Sequence, residues 1–223
     1  MILVSGVFEK EVEPFLVSMV ALERGLLLSR EYFRGVIGRN EIIVTSGMIG
    51  KVDTAAVLQA FIDRFNPFLI IHVGACGGIS ELLDIGDMVL ASQTLEYDLY
   101  PLDRIQRFYS SDLFMEHVLD YTDNVVTGTI VTGDKVVSDP KLKEWLKNTF
   151  DAIALDMDSA VVGKVSRMNG VNFGVLKIVV DMCDERATED FERYFPKYAP
   201  VPALHVVEIM KHHMFHPERG LWE

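Results

Sequence analysis

Apolar residues along the chain fall into short uninterrupted runs separated by stretches of helical period. Phe68 to Val73 is too uniform to alternate and too short for a helix, which predicts a strand buried on both faces. Ile2–Val4, Ile42–Thr45, Met88–Ala91, Val125–Thr132, Ala152–Asp158 and Val171–Val180 read as further strands. Between them, Val12, Phe15, Leu16, Met19, Val20 and Leu22 fit a 3.6-residue period, so a first helix is expected to run to about residue 22, with Pro14 in its first turn. A second helix is expected over about 52–65, where Ala55, Leu58, Phe61, Ile62 and Phe65 form a broad apolar face that Asn66-Pro67 ends. Helices over 112–121, 140–150 and 159–168 follow, the second announced by Asp139-Pro140 as N-cap and first residue. Pro202 opens a last helix to about Met214, and residues 92–111 read as a strand end and a loop. Alternating strands and helices predict an α/β fold.

Composition narrows the class. At 223 residues, 49% of them hydrophobic, the chain suits one domain spanning 1–223, with no repeat, linker or low-complexity tract. No segment approaches the roughly 18 uninterrupted apolar residues of a membrane span. The N-terminus enters an apolar run without a basic leader, so a cytoplasmic protein is expected. A formal net charge of −12 disfavours nucleic acid or an anionic membrane as the main partner. Cys76 and Cys183 form no CxxC pair, which suggests neither a disulfide framework nor a structural zinc.

Candidate chemistry gathers at strand ends. The central run breaks into Gly74, Gly77 and Gly78, and open α/β sheets place ligands beyond the carboxyl ends of their strands. Glu11, the pair Asp156/Asp158 and Asp181 lie at strand ends or helix starts on what can be one rim. Alternation along an extended segment puts Asp156 and Asp158 on one side and Met157 on the other. Ser46 to Lys51 lacks the ending of a Walker loop and is not GxGxxG. His212 and His216 are spaced as a metal pair, but Pro217 follows and no acidic third ligand is evident, so a solvated helix end is the reading and no metal is expected. His72, inside a strand, reads as a satisfied core residue. From the residues alone the chain is an α/β domain with an acidic pocket.

Seven motifs occur in an order that resembles the nucleoside phosphorylase/hydrolase superfamily, from residue 2 to about 214: Gly6-Val-Phe-Glu-Lys-Glu-Val12, Ser46-Gly-Met-Ile-Gly-Lys-Val52, Val73-Gly-Ala-Cys-Gly-Gly78, Leu83-Asp-Ile-Gly-Asp87, Thr132-Gly-Asp134, Leu155-Asp-Met-Asp-Ser-Ala160 and Leu176-Lys-Ile-Val-Val-Asp181. They are most similar to 5′-methylthioadenosine/S-adenosylhomocysteine nucleosidases. The resemblance implies a three-layer αβα fold around a twisted mixed sheet, a homodimer, a purine nucleoside as small-molecule partner, no cofactor and a place in methionine salvage. It implies Asp181 as the acid on the leaving purine and Glu11 as the base that positions water. Asp158 would hold the ribose hydroxyls with Met157 against the sugar, Asp156 would lie nearby, Val136 and Val137 would meet the base, and Ala75 and Gly77 would line the turn.

The phosphorolytic branch carries arginines in the first loop and before the glycine turn. This chain has Phe8-Glu-Lys-Glu11 and His72 there, so water is the expected nucleophile. It also departs from the nucleosidase pattern. Asp156-Met157-Asp158 replaces Glu-Met-Glu, Val180 and Ala75 replace serines, and Lys177 replaces an arginine. One methylene less at the clamp shifts the sugar by about an ångström, a displacement that can cost roughly a hundredfold in rate. Phosphorolysis, or nucleoside binding without turnover, are the alternatives.

Overall fold

The computed structural model describes residues 1–217 and is built on one mixed sheet. Strand β1 (Ile2–Ser5) lies at its middle, parallel to β4 (Asn40–Thr45) on one side and to β5 (Leu69–Gly78) on the other. Strands β6 (Met88–Glu96), β8 (Val125–Thr132), β9 (Ala152–Asp156) and β10 (Asn172–Asp181) continue from β5, and β7 (Phe108–Tyr109) pairs with β6. Because β10 pairs with β5 in parallel and with β6 antiparallel, five strands close on themselves in the order β5-β9-β8-β6-β10.

Alternating side chains of the apolar strands face different helices, as the uninterrupted runs require. Ile2, Val4, Leu69, Ile71 and Val73 pack with α1 (Glu9–Ser18), α3 (Asp112–Tyr121) and α7 (Val201–His212). Leu3, Ile43 and Ile70 face the other way, onto α2 (Gly50–Phe65) and α5 (Ser159–Met168). A third cluster of Ile79, Leu95, Val131 and Leu155 is covered by Leu146 and Phe150 of α4 (Pro140–Phe150). The Asp139 side chain caps α4 by accepting the Lys141 N–H at 3.0 Å, and Asn66 ends α2 in the left-handed region at φ 47°.

Three local expectations are corrected. The first helix stops at Ser18, and the chain from Val20 becomes β2 (Val20–Leu27), which turns into β3 (Arg30–Ile37) to form a hairpin beside β4. Its turn residues, Leu28 and Ser29, both take positive φ, 49° and 61°, without the Asn-Gly or Asp-Gly pair that announces such a turn. Pro14 is the sixth residue of α1, beyond its first turn. Helix α6 (Ala187–Tyr198) was assigned no element from the sequence; Pro196 lies inside it, and Phe191, Tyr194 and Tyr198, at helical spacing, pack against the core.

Gly174 in β10 sits directly against Phe114 of α3, where a Cβ would lie 2.1 Å from Cδ1 of that fully buried ring. Gly174→Ala is expected to lower stability by about 1–3 kcal/mol through overpacking. Urea unfolding checks this, with a lower midpoint at an unchanged slope as the expected result.

Candidate active site

Beyond the carboxyl ends of β1, β5, β9 and β10 lies a cavity of about 250 Å³. All nine residues singled out from the sequence, Glu11, Ala75, Gly77, Val136, Val137, Asp156, Met157, Asp158 and Asp181, line it. It also takes in Phe8, Ile49, Cys183, Thr188 and Phe191, which the sequence reading assigned no role in the site.

Glu11 is the third residue of α1 and turns its carboxylate back over the helix start. Oε2 accepts the N–H groups of Val7 at 2.7 Å and Phe8 at 2.8 Å, and Oε1 accepts that of Ala75 at 2.9 Å. The last contact joins α1 to the glycine turn of β5 and is possible because residue 74 has no side chain. Its φ is 151°, and a Cβ there would lie 2.5 Å from Oε1. Burial raises the Glu11 pKa, while Lys177 and the backbone donors pull against that rise.

Asp156 and Asp158 stand at the β9–α5 junction and share one buried cation, but Met157, which alternation put on the other side, lines the same cavity because the extended strand ends at Asp156. Lys177 Nζ of β10 lies 2.8 Å from Asp158 Oδ1 and 3.3 Å from Asp156 Oδ2. His72 of β5, fully buried, brings Nε2 to 3.1 Å from the same Asp158 Oδ1, and its Nδ1 is 2.9 Å from the Ser5 hydroxyl. The core histidine expected from the sequence therefore also supports the site. Burial would raise the Asp158 pKa, but Lys177 and His72 hold the carboxyl well below the ordinary range. The two aspartates in turn hold Lys177 above its ordinary value despite its burial.

Asp156 is bound into the scaffold. Oδ1 accepts the Thr132 hydroxyl at 2.6 Å and the Ser159 amide at 3.1 Å, and Oδ2 accepts the Ser159 hydroxyl. Burial, and then the charge of Asp158, push its pKa up.

Asp181 ends β10 just past an irregularity in the pairing with β5 that follows Val179. Its Oδ1 accepts the Cys183 N–H at 2.9 Å, and the Cys183 thiol hydrogen-bonds the same carboxyl. Cys183 adopts φ 50° to do so. A Cβ on Gly77 would lie 2.8 Å from Asp181 Oδ1 and 2.5 Å from Cys183 Sγ, so that glycine makes room for both. Burial raises the Asp181 pKa, opposed by the two Cys183 contacts. Val180, which replaces the expected serine, is buried in the core.

The remaining walls are mostly apolar. Val137 is buried, Val136 and Ile49 are exposed at the rim, and Phe8 meets Phe195 edge-on at 5.0 Å while Phe195 stacks on Phe191 at 4.8 Å. Among the described residues no group of three or more His, Cys, Asp or Glu is placed to hold a metal ion, His212 and His216 included. No helix among them is long and apolar enough to cross a membrane.

Comparisons with known proteins identify the family. The family model of the phosphorylase superfamily matches residues 2–211. A 5′-methylthioadenosine/S-adenosylhomocysteine nucleosidase of Thermotoga maritima is 39% identical over 218 residues, covering 96% of this chain and 100% of the relative. Helicobacter pylori supplies two similar structures. One is a 5′-methylthioadenosine/S-adenosylhomocysteine nucleosidase complexed with a pyrrolopyrimidine-bearing pyrrolidine (25% identity, TM-score 0.89, 95% of this chain and 98% of that one). The other is a futalosine hydrolase (25% identity, TM-score 0.89, 95% and 97%). The chain belongs to the phosphorylase superfamily, among the N-ribosyl hydrolases related to the 5′-methylthioadenosine/S-adenosylhomocysteine nucleosidases.

Proposed function

We propose that the protein hydrolyses the N-ribosidic bond of a 5′-thio-substituted adenine nucleoside, of the methylthioadenosine or S-adenosylhomocysteine type, to free base and sugar. The observation that carries this reading is the meeting of Glu11, Asp158 and Asp181, from three separate parts of the chain, in one largely apolar cavity. Cleavage moves the C1′–N9 electron pair onto the purine, and a proton at N7 makes that base a better leaving group. Asp181, with its pKa raised by burial, is the group that donates the proton. The sugar left behind has oxocarbenium character, and water adds at C1′ while Glu11 takes its proton, a division of labour parallel to glycoside hydrolysis. Glu11 releases its proton to solvent and Asp181 regains one from it, which completes the cycle.

Asp158, an acceptor held ionised by Lys177, suits the donor hydroxyls of a ribose, and Met157 packs beside them. Val136 and Val137 form the base wall, and Asp156 fixes the β9–α5 turn. Water is favoured over phosphate because the backbone N–H groups of Val7, Phe8 and Ala75, which would suit an anion, are already taken by Glu11. The whole chain acts as one cytoplasmic domain in methionine salvage. Exposed Tyr100 and Leu102 suit a homodimer in which each copy completes its neighbour's 5′ pocket.

Glu11 must be ionised and Asp181 protonated, and both carboxyls are raised above their ordinary values of 4.5 and 3.8. Activity should therefore fall as pH drops through the Glu11 pKa and as pH rises through that of Asp181. A bell-shaped kcat/KM profile with both limbs above those ordinary values is expected. Asp181→Asn should lose the alkaline limb and about 10²–10⁴ in kcat with an unchanged circular dichroism spectrum, and undiminished turnover would contradict the acid assignment.

Chromatography of methylthioadenosine, S-adenosylhomocysteine, adenosine and inosine digests should show base and free sugar in phosphate-free buffer. Ribose 1-phosphate formed only with phosphate would establish phosphorolysis instead. Binding of these nucleosides without base release would establish a binding protein.

A further inference from the structure

We propose that Lys143 of α4 is a positioning residue for Asp181, acting through the Met182–Cys183 peptide to stabilise the carboxylate that remains once the purine has taken the proton. This rests on the reading of Asp181 as the acid. The Lys143 ammonium donates to the Met182 carbonyl oxygen at 2.5 Å, and the Cys183 N–H donates to Asp181 Oδ1 at 2.9 Å. That carbonyl and that N–H belong to one planar peptide unit. A cation therefore sits at its oxygen end and the acid at its hydrogen end. Each hydrogen bond polarises the peptide in the direction that strengthens the other.

The peptide is held in a conformation that local preference disfavours. Cys183 takes φ 50°, a left-handed value that residues other than glycine seldom adopt. Such a backbone persists where its surroundings over-determine it. Here they are the burial of Cys183, the room left by Gly77 and the Lys143 bond to the carbonyl. Lys143 is brought there by the first turn of α4, where its own N–H donates to the Asp139 carbonyl at 3.0 Å.

Before cleavage Asp181 is neutral and the Cys183 amide makes an ordinary contact with it. As the proton moves to N7 the O–H electron pair stays behind, and the same contact becomes charge-assisted and stronger. An interaction that grows along the reaction raises kcat rather than lowering KM. Burial and the charges of Asp184 and Asp190 oppose ionisation of Asp181, and its Cys183 contacts favour it. Cys76 of β5 feels the Asp181 charge as well, and Glu81 and Cys183 feel that of Lys143.

The test compares Lys143→Met, which keeps the side-chain length and loses the ammonium, with Lys143→Arg and the wild type. All are full chains checked by circular dichroism, and Lys143→Gln replaces the methionine variant if that one does not fold. In Lys143→Met, kcat for base release from methylthioadenosine should fall about tenfold with KM within about twofold, the lower end of what a hydrogen bond to a charged group is worth. The alkaline limb of kcat/KM should rise by at least about 0.3 pH units, because a weakened donor leaves Asp181 a weaker acid. Lys143→Arg should stay within about threefold of wild type, since it retains a cationic donor. In an Asp181→Asn background, where no carboxylate forms, Lys143→Met should cost less than about twofold more. An unmoved limb, an unaltered kcat, an arginine variant as impaired as the methionine one, or a full further loss in the Asp181→Asn background each overturns the proposal.

Carbon-13 NMR of aspartate-labelled protein, with the Asp181 signal assigned by its loss in Asp181→Asn, follows the same titration without turnover. An upward shift of that titration in Lys143→Met without any base release would remove the hydrolase reading and leave the role of Lys143 standing. Release with an unmoved Asp181 titration would remove that role alone.

Discussion

The Lys177 ammonium, completely buried between Asp156 and Asp158, is the interaction on which the site depends. It ties the middle of β10 to the β9–α5 junction, and its charge also reaches Glu11. Burying three charges is costly, and a buried ion pair is rarely a net source of stability. Removing one partner is worse, at about 3–5 kcal/mol, because the others are left uncompensated. Asp158 is depressed below its ordinary 3.8 and Lys177 raised above its ordinary 10.5. The pairing therefore contributes fully between those ordinary values. It is lost on the acid side as pH falls through the folded Asp158 pKa, and on the alkaline side as pH rises through that of Lys177.

Around this cation the carboxyls are driven apart. Asp158, in contact with Lys177 and His72, stays ionised, whereas burial raises Glu11 and Asp181. Environments that separate the pKa values of neighbouring acids let one pocket hold carboxyls in different protonation states. The departures from the nucleosidase pattern fit the same picture. Val180 forfeits a hydroxyl beside Asp181, and Cys183 supplies an amide and a thiol to that carboxyl. The shortened acids at 156 and 158 still meet the lysine that stands in for an arginine, at 3.3 and 2.8 Å.

The sheet brings these groups together by closing five strands on themselves, so that β5, β9 and β10 release their chains at one place. Packing there is too tight for side chains at two points. Gly74 admits the Glu11 carboxylate, and Gly77 admits the Asp181 carboxyl with the Cys183 sulfur. Glycine at these positions secures close approach across strands, and at Gly74 the backbone also adopts a positive φ.

Much of this was legible in the residues. Uninterrupted runs such as Phe68–Val73 report burial on both faces directly, and Asp139-Pro140 caps a helix through atoms only two residues away. The motif order singled out nine residues that all line one cavity. The β2–β3 hairpin was not legible, because Leu28 and Ser29 carry no turn signal and pairing with β4 overrides the helical period that runs through Val20. Nor was α6, where Pro196 falls inside a helix whose Phe191, Tyr194 and Tyr198 are only partly buried against the core. The contacts of His72 and Lys177 with the site were not legible for a different reason. Their partners are Ser5, 67 residues from His72, and Asp158, 19 residues from Lys177. Local sequence fixes which residues are buried and where strands end. Which oxygen of a buried carboxylate meets which cation is decided by the closure of the sheet.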